Sequence, residues 1–483
     1  MSEQFSNLDE FRDTGHKLVE WIADYLERIE KERVFPQVEP GHLETLFDEP
    51  LPQTPASLEQ ITADLNQKLI PHCCQVNHPG YFGLITPTPL PAGILADLLC
   101  SALNQNVGTY AVGPSAVALE RRTVRWLADL VGYGQTAGGH LTSGGTMVNF
   151  EGLKLARDWS TENRAQHEGI ERKMAAYVSE ERHVSLDKAA DAIGIGRKNL
   201  RILPTDEEFR MRLDKLEERI KVDRQNGIQP FCLIGLAGTT NTGAVDDLKA
   251  LRRIADREKL WLHLDAAYGG GMLLSRKWPG LLKGIELADS VTIDPHKWFF
   301  APLDAGAILV KDRSQLSESH GMMPSYLRDE SDTHNSRFHY YANSFEQSRR
   351  FRSLKVWMSF KRYGAEQIGE WIDNNVEQAK LLHRLCEKHP VFRSAAEPQL
   401  SGVCVGYQPK DLDESKLSRL HVEAARRVVE KGNFWISTTM LKGKMWFRIN
   451  IVNFRTRKEH MEELLLQLEE ECKKAAKELP KES

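Results

Sequence analysis

The chain has 483 residues, more than one typical domain holds, so two or three lobes are expected. It is 41% hydrophobic and 27% charged, and 64 basic against 68 acidic residues leave a net charge of −4. This globular composition offers no basic excess for nucleic acid, and no run is long and apolar enough to cross a bilayer. The opening MSEQFSNLDEF is polar and lacks the apolar core of a signal peptide. Seven cysteines, an odd number without CxxC spacing, argue against a disulfide framework or a zinc site and point to a reducing, cytoplasmic setting.

Leu8 to about Val34 reads as one long helix, with Phe11, Leu18, Val19, Ile22, Tyr25, Leu26 and Ile29 on one face and Asn7 with Glu10 able to cap it. The other face is charged, so the apolar stripe needs a cover. Phe35–Pro55 carries five prolines and reads as an extended connector, and a helix returns around Leu58–Leu69. His78–Asp97 is rich in Pro and Gly yet apolar, which suits the wall of a pocket or an interface better than an exposed loop.

After a helix over Ala116–Val131, strands and helices alternate. Ala175–Val178, Leu200–Leu203, Phe231–Leu236, Trp261–Leu264, Val291–Ile293 and Ala307–Val310 read as strands, with helical stretches such as Leu213–Gln225 and Asp246–Glu258 between them. Alternation of this kind predicts a largely parallel sheet covered on both faces, with ligands at the carboxyl ends of its strands. His320–Arg350 is polar, aperiodic and carries Tyr326, Tyr340 and Tyr341, as a lid or an irregular loop would. From about Glu366 comes a helix, then strands at Val403–Tyr407, Phe434–Thr439 and Met445–Ile451 and a final helix at Met461–Lys477, a small α+β lobe.

Three stretches carry chemistry. Ser290–Pro302, SVTIDPHKWFFAP, reads as a buried strand stopped by Asp294-Pro295, with Lys297 set among Trp298, Phe299 and Phe300. An amine desolvated there is held less firmly in its charged form and can attack a carbonyl, although a lone lysine at a strand end more often reaches into water. Trp261–Tyr268, WLHLDAAY, drives Asp265 toward a strand end among apolar residues, where a carboxylate needs a partner or holds a loop. Together the two supply what pyridoxal phosphate requires, a lysine for its aldehyde and a carboxylate for its ring nitrogen, with Ala266 and Ala267 leaving room for a flat ring. The third stretch, Thr142–Thr146 or TSGGT, precedes the helical run Met147–Asp158. Its N–H groups suit an anion, although Gly and Ser before a helix also make an ordinary turn and cap. The spacing is not that of a nucleotide P-loop. His183 and Thr239 each follow a strand, and by themselves read as a satisfied histidine and as the hydroxyl that closes the GTTNTG turn. Arg448, on a strand of otherwise alternating apolar residues, needs an anionic partner if it points inward.

The set TSGGT, the Ser179–Ala189 segment SEERHVSLDKA, AGTTNTG, HLDAAYGG and DPHKW resembles, in content and order, the group II pyridoxal-phosphate amino-acid decarboxylases. The resemblance runs from about His78 to about Tyr363 and covers a family of aromatic-amino-acid, glutamate, cysteine-sulfinate and diaminobutyrate decarboxylases. It implies an α/β protein of pyridoxal-phosphate fold type I. Residues 1–77 would be an N-terminal helical segment that embraces a second subunit in a homodimer. Residues 78–365 would be a large domain with a mostly parallel seven-stranded sheet, and residues 366–483 a small α+β domain.

The resemblance also assigns roles. Lys297 would carry pyridoxal phosphate, Asp265 keep its ring nitrogen protonated, His183 stack on the ring opposite Ala267, and Gly144, Gly145 and Thr146 anchor the phosphate. Thr239 matches a position near the cofactor, His296 one that touches the phosphate or the incoming substrate, and Arg448 one in the substrate-carboxylate region, with a structural ion pair as the other reading. The Asp294 side chain would repel a phosphate, so only the backbone there is expected to take part. Counting back from Arg349-Arg350-Phe351-Arg352-Ser353-Leu354 aligns Tyr340, with Tyr341 beside it, to a loop tyrosine that protonates the carbanion left by carbon dioxide. The expected reaction is decarboxylation of an L-amino acid to its amine. Trp298 after PHK looks like the aromatic-specific members; Leu84 and Ile85, aliphatic where those members are aromatic, and SALNQNVGTY keep glutamate, aspartate and 2,4-diaminobutyrate open. An aldehyde synthase and a catalytically silent cofactor-binding protein stay open as well. The loop tyrosines speak against the synthase, and the intact Lys297, Asp265 and His183 set speaks against the silent protein. No nucleic acid, membrane or metal partner is expected.

Overall fold

The structure, a computed structural model, describes residues 8–322, 337–410 and 412–478. The chain divides into two compact units: Ile85–His383 with Ser394–Cys404, and the segments up to Leu84, Arg384–Arg393 and from Val405 onward.

The first of these units is built on a seven-stranded sheet: β1 (Gly138–Thr142), β2 (Met174–Ser179), β3 (Leu200–Leu203), β4 (Gln229–Leu236), β5 (Trp261–Asp265), β6 (Ser290–Ile293) and β7 (Gly306–Val310), in the order β1-β7-β6-β5-β4-β2-β3. β3, β2, β4, β5 and β6 pair in parallel, and only β7 runs antiparallel to both its neighbours. Helices cover the sheet, so β2, β5, β6 and β7 are buried along their whole length and read as near-continuous apolar runs. One core joins Val148 and Leu155 of the helix Gly145–Ser160 and Leu186 of the helix Val184–Ala192 to Val178, Ile234 and Ile308 of the sheet. The register sets Leu236 of β4 and Thr292 of β6 on either side of Asp265 of β5, which brings three strand ends level.

β1, GGHLT, has no counterpart among the strands that the sequence pattern predicts. Its two glycines and histidine dilute the β-branched signal, and tertiary contacts hold it instead: the Leu141 N–H donates to Glu120 Oε1 at 3.1 Å, and Arg349 Nη2 donates to the Leu141 carbonyl at 2.7 Å. The strand matters because the helix Gly145–Ser160 starts from its carboxyl end. A long helix, Ser353–Lys388, closes the unit and breaks at Gly364, where φ is 74°.

The other unit begins with the helix Leu8–Arg28 and a 3₁₀ turn at Ile29–Lys31. That is shorter than the sequence pattern suggests, because the Val34 N–H leaves the helix to donate to the Gly432 carbonyl at 2.8 Å. The expected connector contains a short helix, Pro40–Leu46, started by a proline at the one helical position that tolerates it. Ser57 and Gln60 form a capping box for Leu58–Asp64. A four-stranded sheet of β8 (Phe392–Ser394), β9 (Gly402–Tyr407), β10 (Ser437–Leu441) and β11 (Lys444–Asn450) has the order β10-β11-β9-β8 and is accompanied by the helices Glu414–Lys431 and Lys458–Glu478. β10 starts later than the sequence suggests because Trp435 bridges to Tyr81 and stacks on it at 5.1 Å. No helix of the described residues is long and apolar enough to cross a membrane.

Candidate active site

At the level strand ends of β4, β5 and β6, facing the start of the helix after β1, lies a cavity of about 400 Å³. Gly144, Gly145, Thr146, His183, Thr239, Asp265, Ala267, His296 and Lys297 all line it, so nine of the ten residues singled out in the sequence as catalytic or cofactor-binding meet in one place. Asn149, Glu181, Ser185, Tyr268 and Asp294 line it as well.

Asp265 ends β5 with both carboxylate oxygens engaged. Oδ1 accepts the Ala267 N–H at 3.1 Å and Oδ2 accepts Asn149 Nδ2 at 2.9 Å. The other amide hydrogen of Asn149 goes to Ser185 Oγ at 2.9 Å, and its Oδ1 accepts Thr292 Oγ1 at 2.8 Å and His263 Nε2 at 3.1 Å. His263 Nδ1 in turn meets Ser290 Oγ at 2.8 Å. Full burial pushes the His263 imidazole down, so it stands neutral, with its one ring proton on Nε2 facing Asn149. The helix can sit this close to β5 because residue 152 is glycine; a Cβ there would fall 2.3 Å from His263 Cε1.

His183 caps the helix Val184–Ala192. Its Nδ1 accepts the Ser185 N–H at 3.2 Å and pairs with Ser185 Oγ at 2.9 Å, which leaves the ring proton on Nε2. Burial first, and then the Lys297 ammonium, pull this imidazole below its ordinary pKa, so it presents a neutral ring to the cavity.

Lys297 sits in the turn that follows β6, where the Lys297 N–H donates to the Asp294 carbonyl at 2.8 Å. None of the three aromatic residues after it lines the cavity. Trp298 donates to Asn375, and Phe299 and Phe300 pack on Phe360 and Trp371, all on the helix Ser353–Lys388. The amine instead lies 3.3 Å from Asp294 Oδ2, which corrects the expectation of a lysine stranded among aromatics. Asp294 Oδ2 also accepts the Gly145 N–H at 3.0 Å. The Asp294 side chain, excluded as a phosphate ligand because of its charge, therefore stands at the glycine turn itself. His296 backs that turn: its Nδ1 accepts the Ala305 N–H at 2.8 Å, and burial pulls its pKa down. A Cβ on Gly144, where φ is 142°, would come 2.7 Å from His296 Cε1. Thr239 Oγ1 accepts the Thr242 and Ala244 N–H groups at 3.3 and 3.1 Å, so its hydroxyl closes the turn at the cavity rim.

Tyr340 does not join this cavity. It is buried in a separate cluster with Val107, Val117 and Phe351, beneath the Arg349 guanidinium, which lies 4.3 Å from the ring centre. Desolvation there pushes its phenol well above the ordinary value. Counting along the chain locates a residue in sequence, and here the packing of Arg349 decides where it goes. Tyr326 lies outside the described residues. Arg448 donates to Ser437 Oγ and to the Gly83 carbonyl, both at 3.1 Å.

The sequence matches the pyridoxal-dependent decarboxylase conserved domain over residues 40–408. The chain belongs to that family. It is 31% identical over 470 residues to an aromatic-L-amino-acid decarboxylase of Bacillus atrophaeus, covering 97% of both chains. A phenylacetaldehyde synthase of Arabidopsis thaliana is 30% identical, with 96% of each chain covered. Among solved structures, Oryza sativa TDC with PLP and tryptamine superposes with a TM-score of 0.92 at 25% identity, covering 98% of this chain and 99% of that one. The protein is thus a pyridoxal-phosphate-dependent amino-acid decarboxylase of fold type I by family.

The residues present fit that cofactor. Asp265 offers a fixed carboxylate to a ring nitrogen, Lys297 a primary amine to an aldehyde, and the start of the helix Gly145–Ser160 its N–H groups to a phosphate. Asn149, which steadies Asp265, stands outside the motifs that the sequence marks, and Ser185, which pairs with His183, lies inside the SEERHVSLDKA segment without a role of its own there. The available signal is a polar residue in register with Gly152, Leu153 and Ala156 on the buried helix face.

Proposed function

We propose that this enzyme decarboxylates an aromatic L-amino acid to the corresponding amine. The observation that carries the reading is one cavity in which a carboxylate with both oxygens already engaged, Asp265, and a primary amine, Lys297, stand with a helix N-terminus. Bound there, pyridoxal phosphate supplies an electron sink for the pair released when the Cα–carboxylate bond breaks. Lys297 Nζ would be its attachment point. Asp265 holds a proton on the ring nitrogen, and because Asn149 and the Ala267 N–H fix its carboxylate, little reorganisation is needed as charge develops. His183, neutral and paired with Ser185, would offer its flat face to the ring, and the N–H groups of Gly144–Thr146 would take the phosphate.

The aromatic substrate is supported by the relatives whose names specify one. The homodimer is supported by apolar surface that a single chain leaves open: no residue of Leu8–Arg28 is buried, with Phe11 and Leu18 exposed, and Leu95, Leu98, Leu99 and Leu103 of the helix Pro91–Leu103 are exposed as well. The cytoplasmic setting is supported by seven cysteines outside any disulfide, five of them buried.

Carbon dioxide release by purified protein with added cofactor tests the function, using tryptophan, tyrosine, phenylalanine, dihydroxyphenylalanine, histidine, glutamate, aspartate and diaminobutyrate. The expected result is release from the aromatic group with one amine per carbon dioxide and no hydrogen peroxide. Lys297→Ala is expected to remove turnover by more than about a thousandfold. Release confined to glutamate, aspartate or diaminobutyrate would overturn the substrate class. Aldehyde with hydrogen peroxide would make the protein a synthase, the reading that the Arabidopsis relative supports.

A further inference from the structure

Three carboxylates line the cavity, Glu181 among them, and the two aspartates are not held alike. Asp265 has hydrogen-bond donors on both oxygens. Asp294 has one on Oδ2, the Gly145 N–H at 3.0 Å, with Lys297 Nζ at 3.3 Å and His296 Nε2 at 3.6 Å from the same oxygen. Its Oδ1 has no hydrogen-bond partner among the described residues, although the residue is only 2% exposed. A carboxylate kept there simply to cap the helix would turn its second oxygen to water or to a donor, since an unsatisfied buried oxygen is costly.

The donor that Asp294 occupies is the first N–H of the helix Gly145–Ser160, one of those an incoming phosphate would use. The carboxylate lies so close that a Cβ on Gly145 would be 2.8 Å from Oδ2. Two anions on one donor repel each other, and a carboxylate as buried as Asp294 is weakly screened by solvent.

We infer that Asp294 is a resident anion of the phosphate cradle: it holds the Gly145 N–H and faces Lys297 in the free protein, and it must yield that N–H when a phosphate-bearing cofactor enters. The carboxylate therefore lowers the affinity for pyridoxal phosphate below what an uncharged side chain of the same shape would allow, and it does so through the phosphate, not through the ring. This rests on the proposed role of Gly144–Thr146 in taking the phosphate.

Equilibrium dialysis of the full-length apoprotein against pyridoxal phosphate, and separately against pyridoxal, reads the effect. Both ligands carry the same ring and aldehyde, so their affinity ratio cancels whatever the substitution does to Lys297. Asp294→Asn is expected to shift that ratio toward pyridoxal phosphate by about tenfold. Asp294→Ala, which also frees the Gly145 N–H, is expected to shift it in the same direction and carries the test should the asparagine variant fail to fold. Inorganic phosphate is expected to displace pyridoxal phosphate at lower concentration from either variant than from the parent. A ratio unchanged or moved toward pyridoxal, with phosphate still competing, would overturn the inference and leave the cradle standing. Absence of phosphate competition in parent and variants alike would overturn the cradle and the inference with it.

Discussion

The carboxyl ends of β5 and β6 lie side by side, and each delivers an aspartate to the same cavity under opposite conditions. At the end of β5, Asp265 is anchored through Asn149 to Ser185, Thr292 and His263, so its position is set before any ligand arrives. At the end of β6, Asp294 faces an amine and one backbone N–H and keeps a bare oxygen. A fully satisfied network makes a rigid electrostatic fixture, whereas a buried oxygen without a donor is held at a cost.

Breaking the β5 side should have the larger effect. Asp265→Asn keeps the shape but removes the charge that holds a proton on the ring nitrogen. Turnover is expected to fall by roughly a hundredfold or more, while mass spectrometry still finds a borohydride-reduced cofactor adduct on Lys297. Turnover equal to that of the parent would erase the distinction between the two strand ends. Asn149→Ala comes next. It strips Asp265 and Ser185 of a donor and Thr292 and His263 of an acceptor, and urea denaturation is expected to show a loss of about 1–3 kcal/mol. Its turnover should decline less than that of Asp265→Asn, because the Ala267 N–H still holds one oxygen.

The effect on turnover is smallest for pH, which acts instead on stability. Burial lowers the folded pKa of His183 and of His263 within the network, and it pushes His320 and His421 elsewhere down to about 4. An unfolded histidine takes up its proton near pH 6.5. As the pH falls below that value the unfolded chain binds protons first. The stability these neutral rings contribute is therefore complete above about pH 6.5 and declines as the pH drops toward their folded values. Unfolding free energies from urea titrations are expected to fall between pH 6.5 and about 4, by at least about 1 kcal/mol for each of His320 and His421. His421→Asn should flatten part of that slope, and a flat profile in the parent would show that these rings are not held neutral.

Legibility in the sequence follows the range of the interactions involved. Asp265, Lys297 and the Gly144-Gly145-Thr146 turn each belong to a short local motif, a buried run and the residue that ends it, and each stands out from its own neighbours. Asn149 acts on residues 36, 114, 116 and 143 positions away, and no local pattern encodes such partners. The aromatic trio after Lys297 illustrates the same limit. Its hydrophobicity is visible in the sequence, but the side toward which Trp298, Phe299 and Phe300 turn is set by the helix Ser353–Lys388. Tyr340 is located by its distance from Arg349 along the chain, and Arg349 itself, paired with buried Glu120, draws the ring into a different cluster.

By itself the sequence determined the alternation of strands and helices, the largely parallel sheet and the chemistry present at its strand ends, because apolar periodicity and turn residues act over a few positions. Only the tertiary structure decided that Asp265 would be held on both oxygens and Asp294 on one. That difference depends on the register of β4, β5 and β6 and on the approach of the helix after β1, and both are settled by packing between segments far apart in the chain.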